Sequence, residues 1–66
     1  MEIFLNGEAQ PVDENCTIAA IINQLDLQNK RLAVEVNFQI IPRSQFDKHT
    51  LAAGDKVEIV HAIGGG

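Results

Sequence analysis

Three consecutive glycines, Gly64-Gly65-Gly66, close the sequence behind Ile63. Glycine buries no side chain and loses the most backbone entropy when ordered, so such a run does not serve packing. One reading makes it an ordinary frayed end or an engineered scar. The chemical reading makes it a thin, flexible thread that presents the α-carboxylate of Gly66 to the active site of another protein. Without Cβ atoms at Gly65 and Gly66 the thread fits a narrow channel, and nothing shields the carbonyl carbon from attack. That suits activation as an acyl-adenylate followed by displacement of AMP.

The other reactive side chains form no such pattern. Ser44 is the only serine, His49 and His61 are the only histidines, and no glycine-rich loop stands between a strand and a helix. The two histidines lack a third ligand at metal-binding spacing and read as a loop and a sheet-rim histidine. Cys16 precedes a helix start, where the dipole can lower a thiol pKa. With no base or second thiol beside it, it reads as a partly buried, inert thiol.

Sixty-six residues leave room for one small core. Nine acidic against five basic side chains, a net charge of -4, offer no grip on phosphate backbones, which argues against nucleic acid as a partner. The longest apolar run, Ile18 to Ile22, is far below the roughly 20 residues of a membrane helix, and the start Met-Glu-Ile-Phe carries no leader signature. One cysteine closes no internal disulfide, and the expectation is a cytoplasmic domain that stands on packing alone.

The elements that must position the tail follow from hydrophobic spacing. Ile3 and Leu5 alternate with Glu2, Phe4 and Asn6 and run into Asn6-Gly7, which predicts a hairpin whose second strand, Glu8 to Val12, lies at an edge because of Pro11. Thr17 caps a helix with the stripe Ile18, Ile21, Ile22 and Leu25, ending near Asp26 or Leu27. Leu32 to Asn37 alternates as a strand. Phe38-Gln39 then turns into a short strand, Ile40-Ile41, stopped by Pro42. Residues 43 to 53 are irregular or a single helical turn pinned by Phe46 and Leu51, Gly54-Asp55 turns, and Val57 and Ile59 belong to the last strand.

One helix among these strands predicts an α+β fold, with a mixed sheet of four to five strands, the first and last paired in parallel at its middle, and the helix across one face. This is the β-grasp, or ubiquitin-like, architecture, with a domain over 1–63 and a tail over 64–66. Strand parity turns Ile3, Leu5, Val34, Val36, Val57 and Ile59 toward the helix, and Phe4, Ala33, Glu35, Glu58 and Val60 away from it. Phe4 and Val60 should then merge into one apolar patch near the root of the tail, with Glu35 and Glu58 on its rim. Phe4, Val60, Glu58 and Ile63 are the expected partner contacts.

Over essentially its whole length the chain resembles the ubiquitin-like sulfur carriers, and within them the thiamin-biosynthesis carriers. The resemblance rests on Met1-Glu2-Ile3-Phe4-Leu5-Asn6-Gly7, Thr17-Ile18, Gln24-Leu25, Val34-Glu35-Val36-Asn37, Ile41-Pro42-Arg43-Ser44-Gln45, Ala53-Gly54-Asp55-Lys56-Val57-Glu58-Ile59 and Gly65-Gly66. It implies that an E1-like (ThiF-like) adenylyltransferase uses ATP and Mg²⁺ to adenylate Gly66. A persulfide donor then converts the end to a thiocarboxylate, and a ThiG-like thiazole synthase receives the sulfur. The resemblance implies too that the carrier itself binds no cofactor or metal and is a co-substrate rather than an enzyme. Gly65 gives the slender approach, and Gly64 extends the minimal pair. Sulfur transfer for molybdopterin or transfer-RNA thiolation, and protein modification through an isopeptide bond, are the alternatives. Phe38 is bulkier than the small or polar residue expected after Asn37.

Overall fold

The computed structural model describes residues 1–61. Ile63, the glycine tail 64–66 and the domain boundary drawn after residue 63 lie outside the described residues. Strands β1 (Glu2–Leu5) and β2 (Glu8–Pro11) form the expected hairpin, Leu5 opposite Glu8. Asn6 and Gly7 have φ of 50° and 85°, the two positive values that a type I′ turn needs. β2 ends one residue earlier than expected, yet the amide of Val12 still donates to the carbonyl of Met1 at 2.8 Å. Pro11 sits on the sheet edge, where its missing N–H breaks no ladder.

Helix α1 (Ile18–Gln24) is too short to persist alone and is held at both ends by its surroundings. Thr17 Oγ1 accepts from the amide of Ala20 at 3.1 Å. The amides of Ile18 and Ala19 donate to the carbonyls of His49 (3.3 Å) and Phe46 (2.8 Å), so the loop that follows the sheet's short strand caps the helix start. The expected stripe is correct for Ile18, Ile21 and Ile22, which are buried, and wrong for Leu25, which is exposed. The helix stops at Gln24 because Asp26 adopts φ 59°. The amide of Asp26 donates to Asn23 O (3.1 Å) and that of Leu27 to Ile22 O (2.9 Å), a Schellman closure. Leu27, two residues past Leu25, packs on the core in its place.

Strand β3 (Leu32–Val36) pairs with β4 (Gln39–Ile41), Val36 opposite Gln39. The turn is therefore Asn37-Phe38, one residue earlier than expected. Asn37 tolerates the left-handed region, and its side chain is engaged from there: Oδ1 accepts from the amide of Lys56 at 3.1 Å. A single 3₁₀ turn, Arg43–Gln45, carries Phe46 into the core, where Leu51 joins it, as the apolar spacing predicts. Gly54, at φ 84°, makes the final turn into β5 (Lys56–His61).

The sheet order is β2-β1-β5-β3-β4. β5 is the central strand, parallel to β1 and antiparallel to β3. Ile3, Val34, Val36, Val57 and Ile59 are buried beneath α1 with Ile18, Ile21 and Ile22, and Leu5 is half-buried beside them. The parity reading is thus correct for the helix side.

A β-carbon at the left-handed Asp26 costs energy, and its carboxylate faces the negative end of the helix dipole. Asp26→Gly should therefore raise unfolding stability by about 1 kcal/mol. A urea titration checks this, and a lower midpoint would contradict the Schellman account.

Candidate functional site

Among the described residues no side chain that is buried is polar or charged. Among them, too, no three His, Cys, Asp or Glu residues gather as a metal ion would require. His49 lies in the loop that caps α1, His61 is exposed at the end of β5 opposite Leu32, and Ser44 is exposed in the 3₁₀ turn. The structure does not bring these residues together into a catalytic group. What it builds instead is a strand paired on both edges, followed in sequence by the tail, and beside it a sheet face that no described element covers.

The strand is anchored by two asparagines, each in the left-handed conformation of a hairpin turn. The amide of Asn6 donates to Val57 O at 2.8 Å, the last backbone bond from β1 before that chain veers into its turn. The Asn6 side chain carries the pairing one step further: Oδ1 accepts from the amide of Ile59 at 2.9 Å and Nδ2 donates to its carbonyl at 3.2 Å. At the other end Asn37 holds Lys56 through its backbone amide (2.8 Å) and Oδ1, while its Nδ2 donates to Asp55 Oδ1 at 3.1 Å. Asn6-Gly7 announces a turn in the sequence, but the second use of the asparagine side chain depends on where β5 falls.

The outer face carries the residues that parity assigned to it. Phe4 is 40% and Val60 55% exposed, Ala33 and Glu58 are exposed, and Glu35 is half-buried. Their arrangement differs from the expectation. Phe4 stands beside Lys56 in the parallel ladder, so Val60 lies four residues further along β5, about 13 Å at the usual strand rise. Glu58 separates the two, and they share a face without forming one contiguous patch. Phe4 instead edges a hollow of about 280 Å³ with Gly7, Lys56, Val57 and Glu58. Glu35 and Glu58, expected at a rim, stand directly opposite each other across β3 and β5. Ile63 lies outside the described residues.

Two further apolar side chains, absent from the sequence-based site, belong to this side. Ile40 is opposite Glu35 across β3 and β4 and is 74% exposed. Phe38 is equally exposed, with the Lys56 ammonium 5.7 Å from its ring centroid. A two-residue Asn37-Phe38 loop read from the sequence would have placed Ile40 on this face by parity alone.

Cys16 is partly buried and is pushed above its ordinary thiol value of 9.0, first by burial and then by the nearby Asp13 carboxylate. A raised thiol pKa leaves little thiolate near neutrality, the reverse of what a sulfur nucleophile requires. Iodoacetamide at mildly alkaline pH should alkylate Cys16 more slowly in the folded chain than in urea. Because the folded value lies above the unfolded one, the thiol's contribution to stability is complete below the unfolded pKa and is lost as pH rises through the folded value. Equal alkylation rates in the two states would refute the burial.

The comparisons agree with this anatomy. The model of the ThiS family matches residues 3–66. The sulfur carrier protein ThiS of Escherichia coli (strain K12) is 32% identical over 66 residues, covering the whole of both chains. A thiazole synthase of Paramagnetospirillum magneticum is 36% identical over 66 residues, of which this chain spans about a fifth of the length (20%). The crystal structure of the thiamine biosynthesis protein ThiS from Geobacter metallireducens superposes with a TM-score of 0.85 at 32% identity, each chain fully covered. A five-stranded mixed sheet with one helix, the β-grasp arrangement inferred from the strand order, is thus shared with a solved relative. By sequence along nearly its full length and by fold, the chain belongs to the ThiS family.

Proposed function

We propose that this chain is a sulfur carrier of thiamin biosynthesis, a co-substrate of partner enzymes rather than an enzyme. The observation that carries the reading is the match of the whole chain, Gly65 and Gly66 included, to a sulfur carrier protein of the same length. Two thiazole synthases contain a segment similar to it over all 66 residues, which favours thiazole formation over molybdopterin synthesis or transfer-RNA thiolation as the destination.

The chemistry takes place beyond β5. An oxygen of the Gly66 carboxylate attacks the α-phosphorus of ATP in an E1-like adenylyltransferase, and the bond to pyrophosphate breaks, with Mg²⁺ and ATP belonging to that enzyme's site. The terminal sulfur of a persulfide donor attacks the acyl carbon and AMP leaves, which forms an acyl disulfide. A thiol attacks the donor-side sulfur of that disulfide, the S–S bond breaks, and the thiocarboxylate is released with a new disulfide on the donor. Thiazole synthase then receives the sulfur. Gly65 keeps the approach slender, and Gly64 lengthens it. Phe4, Glu58 and Val60 on the outer face, with Ile63 at the tail root, contact the partners and hold the domain while Gly66 reaches in.

Incubation with the activating enzyme, ATP and a sulfur source should add to the intact protein the mass difference between sulfur and oxygen. Deleting Gly65 and Gly66 should abolish that gain with little change in melting temperature, because a chain end contributes little to stability. A Gly65→Val variant should suppress ATP–pyrophosphate exchange. Unchanged exchange would show that the branched side chain does not obstruct the channel.

A further inference from the structure

The Asn6-Gly7 turn holds a chemical liability as well as a clamp. The chain has five asparagines, and Asn6 alone is followed by glycine. An asparagine carboxamide is an electrophile within reach of the next residue's amide nitrogen, and a glycine there has no side chain to obstruct the approach. After the other four stand Cys16, Gln24, Lys30 and Phe38, whose side chains crowd the same attack. The folded chain keeps the Asn6 carboxamide occupied. Its Oδ1 accepts from the Ile59 amide at 2.9 Å and its Nδ2 donates to the Ile59 carbonyl at 3.2 Å, so both atoms are directed at β5 across 53 positions of sequence. The Asn6 backbone amide adds a bond to Val57 O at 2.8 Å, and the turn fixes Asn6 and Gly7 at φ 50° and 85°. Attack on Cγ by the Gly7 nitrogen requires the side chain to fold back onto its own backbone. That rotation breaks both carboxamide bonds.

We infer that Asn6 is a spontaneous modification site that the pairing of β1 with β5 keeps closed, and that its conversion releases the end of β5. In an opened chain the Gly7 nitrogen loses its proton to solvent base and attacks Asn6 Cγ. The Cγ–Nδ2 bond breaks, ammonia leaves with a proton from water, and a succinimide ring joins residues 6 and 7. Water then opens the ring: breaking the bond from Cγ to the ring nitrogen gives aspartate, and breaking the main-chain bond gives isoaspartate. One water is consumed and one ammonia released, with no oxidant or reductant. Either product lacks Nδ2. Aspartate sets an acceptor where a donor met the Ile59 carbonyl, and isoaspartate adds a main-chain carbon to the two-residue turn that places Leu5 opposite Glu8. A reacted chain closes without its clamp, so each conversion makes further opening of β5 more frequent. The site lies wholly within the described residues, and its chemistry does not involve the tail.

Peptide mapping by mass spectrometry after incubation at mildly alkaline pH tests this, with the exchange of NH for O at Asn6 as the readout. In denaturing urea Asn6 should convert ahead of the other asparagines. In buffer it should convert at least about tenfold more slowly, because only opened chains react. Ile59→Val loosens β5 while keeping its backbone bonds, so it should speed conversion several-fold in sub-denaturing urea and leave the rate in denaturing urea unchanged. Asn6→Asp, a stand-in for the product, should melt about 5 °C below the parent. No conversion at Asn6 in denaturing urea overturns the site. Equal rates in buffer and denaturing urea, or an Ile59→Val chain that converts no faster than the parent, overturn its closure by β5. An Asn6→Asp chain that melts with the parent overturns the release of the strand.

Discussion

The arrangement of this small protein depends on its last described strand lying in the middle of its sheet. β5 pairs in parallel with β1 and antiparallel with β3, so the segment that leads to the tail is bound on both edges. The pairing joins residues near the start of the chain to residues more than fifty positions later, as in the Asn6 to Ile59 bonds. The domain therefore cannot close until its last strand is in place, and its contacts are of the long-range kind that slow folding. Val57 and Ile59 then supply the floor on which α1 rests.

Two asparagines make that central placement secure. Asn6 and Asn37 each turn a hairpin in the left-handed conformation and each use a side-chain amide to complete the pairing of β5 where a neighbouring strand departs. Turn and clamp are the same residue, which saves chain length in a domain of this size. A glycine in either place would keep the turn and lose the clamp. An aliphatic residue would keep neither.

The economy extends to the helix. Seven residues cannot stay helical in water on their own. Here the carbonyls of Phe46 and His49 cap the first amides, the Asp26 and Leu27 amides close the last turn, and three isoleucines press on the sheet. With one face of the sheet sealed in this way, no described element covers the opposite face. Among the described residues the buried side chains are all apolar, so the core's part is to hold the sheet and helix together.

The amino-acid pattern by itself determined the elements and the inward set. Alternation over Ile3 to Leu5, Leu32 to Val36 and Val57 to Ile59, the isoleucine spacing after Thr17, and Asn6-Gly7 are local signals, because side-chain direction repeats every two residues in a strand and every 3.6 in a helix. The central parallel pair was legible from the order of elements. Register was not legible. Parity places Phe4 and Val60 on one face, but only the pairing of Phe4 with Lys56 sets the distance between them, and only the pairing of Glu35 with Glu58 brings two carboxylates face to face. The end of the helix was likewise a tertiary decision: Leu25 continues the stripe, yet Leu27 reaches the core because Asp26 reverses the chain there. Periodicity reports which side of an element is apolar, whereas its neighbours and their offset depend on hydrogen bonds between residues distant in the chain.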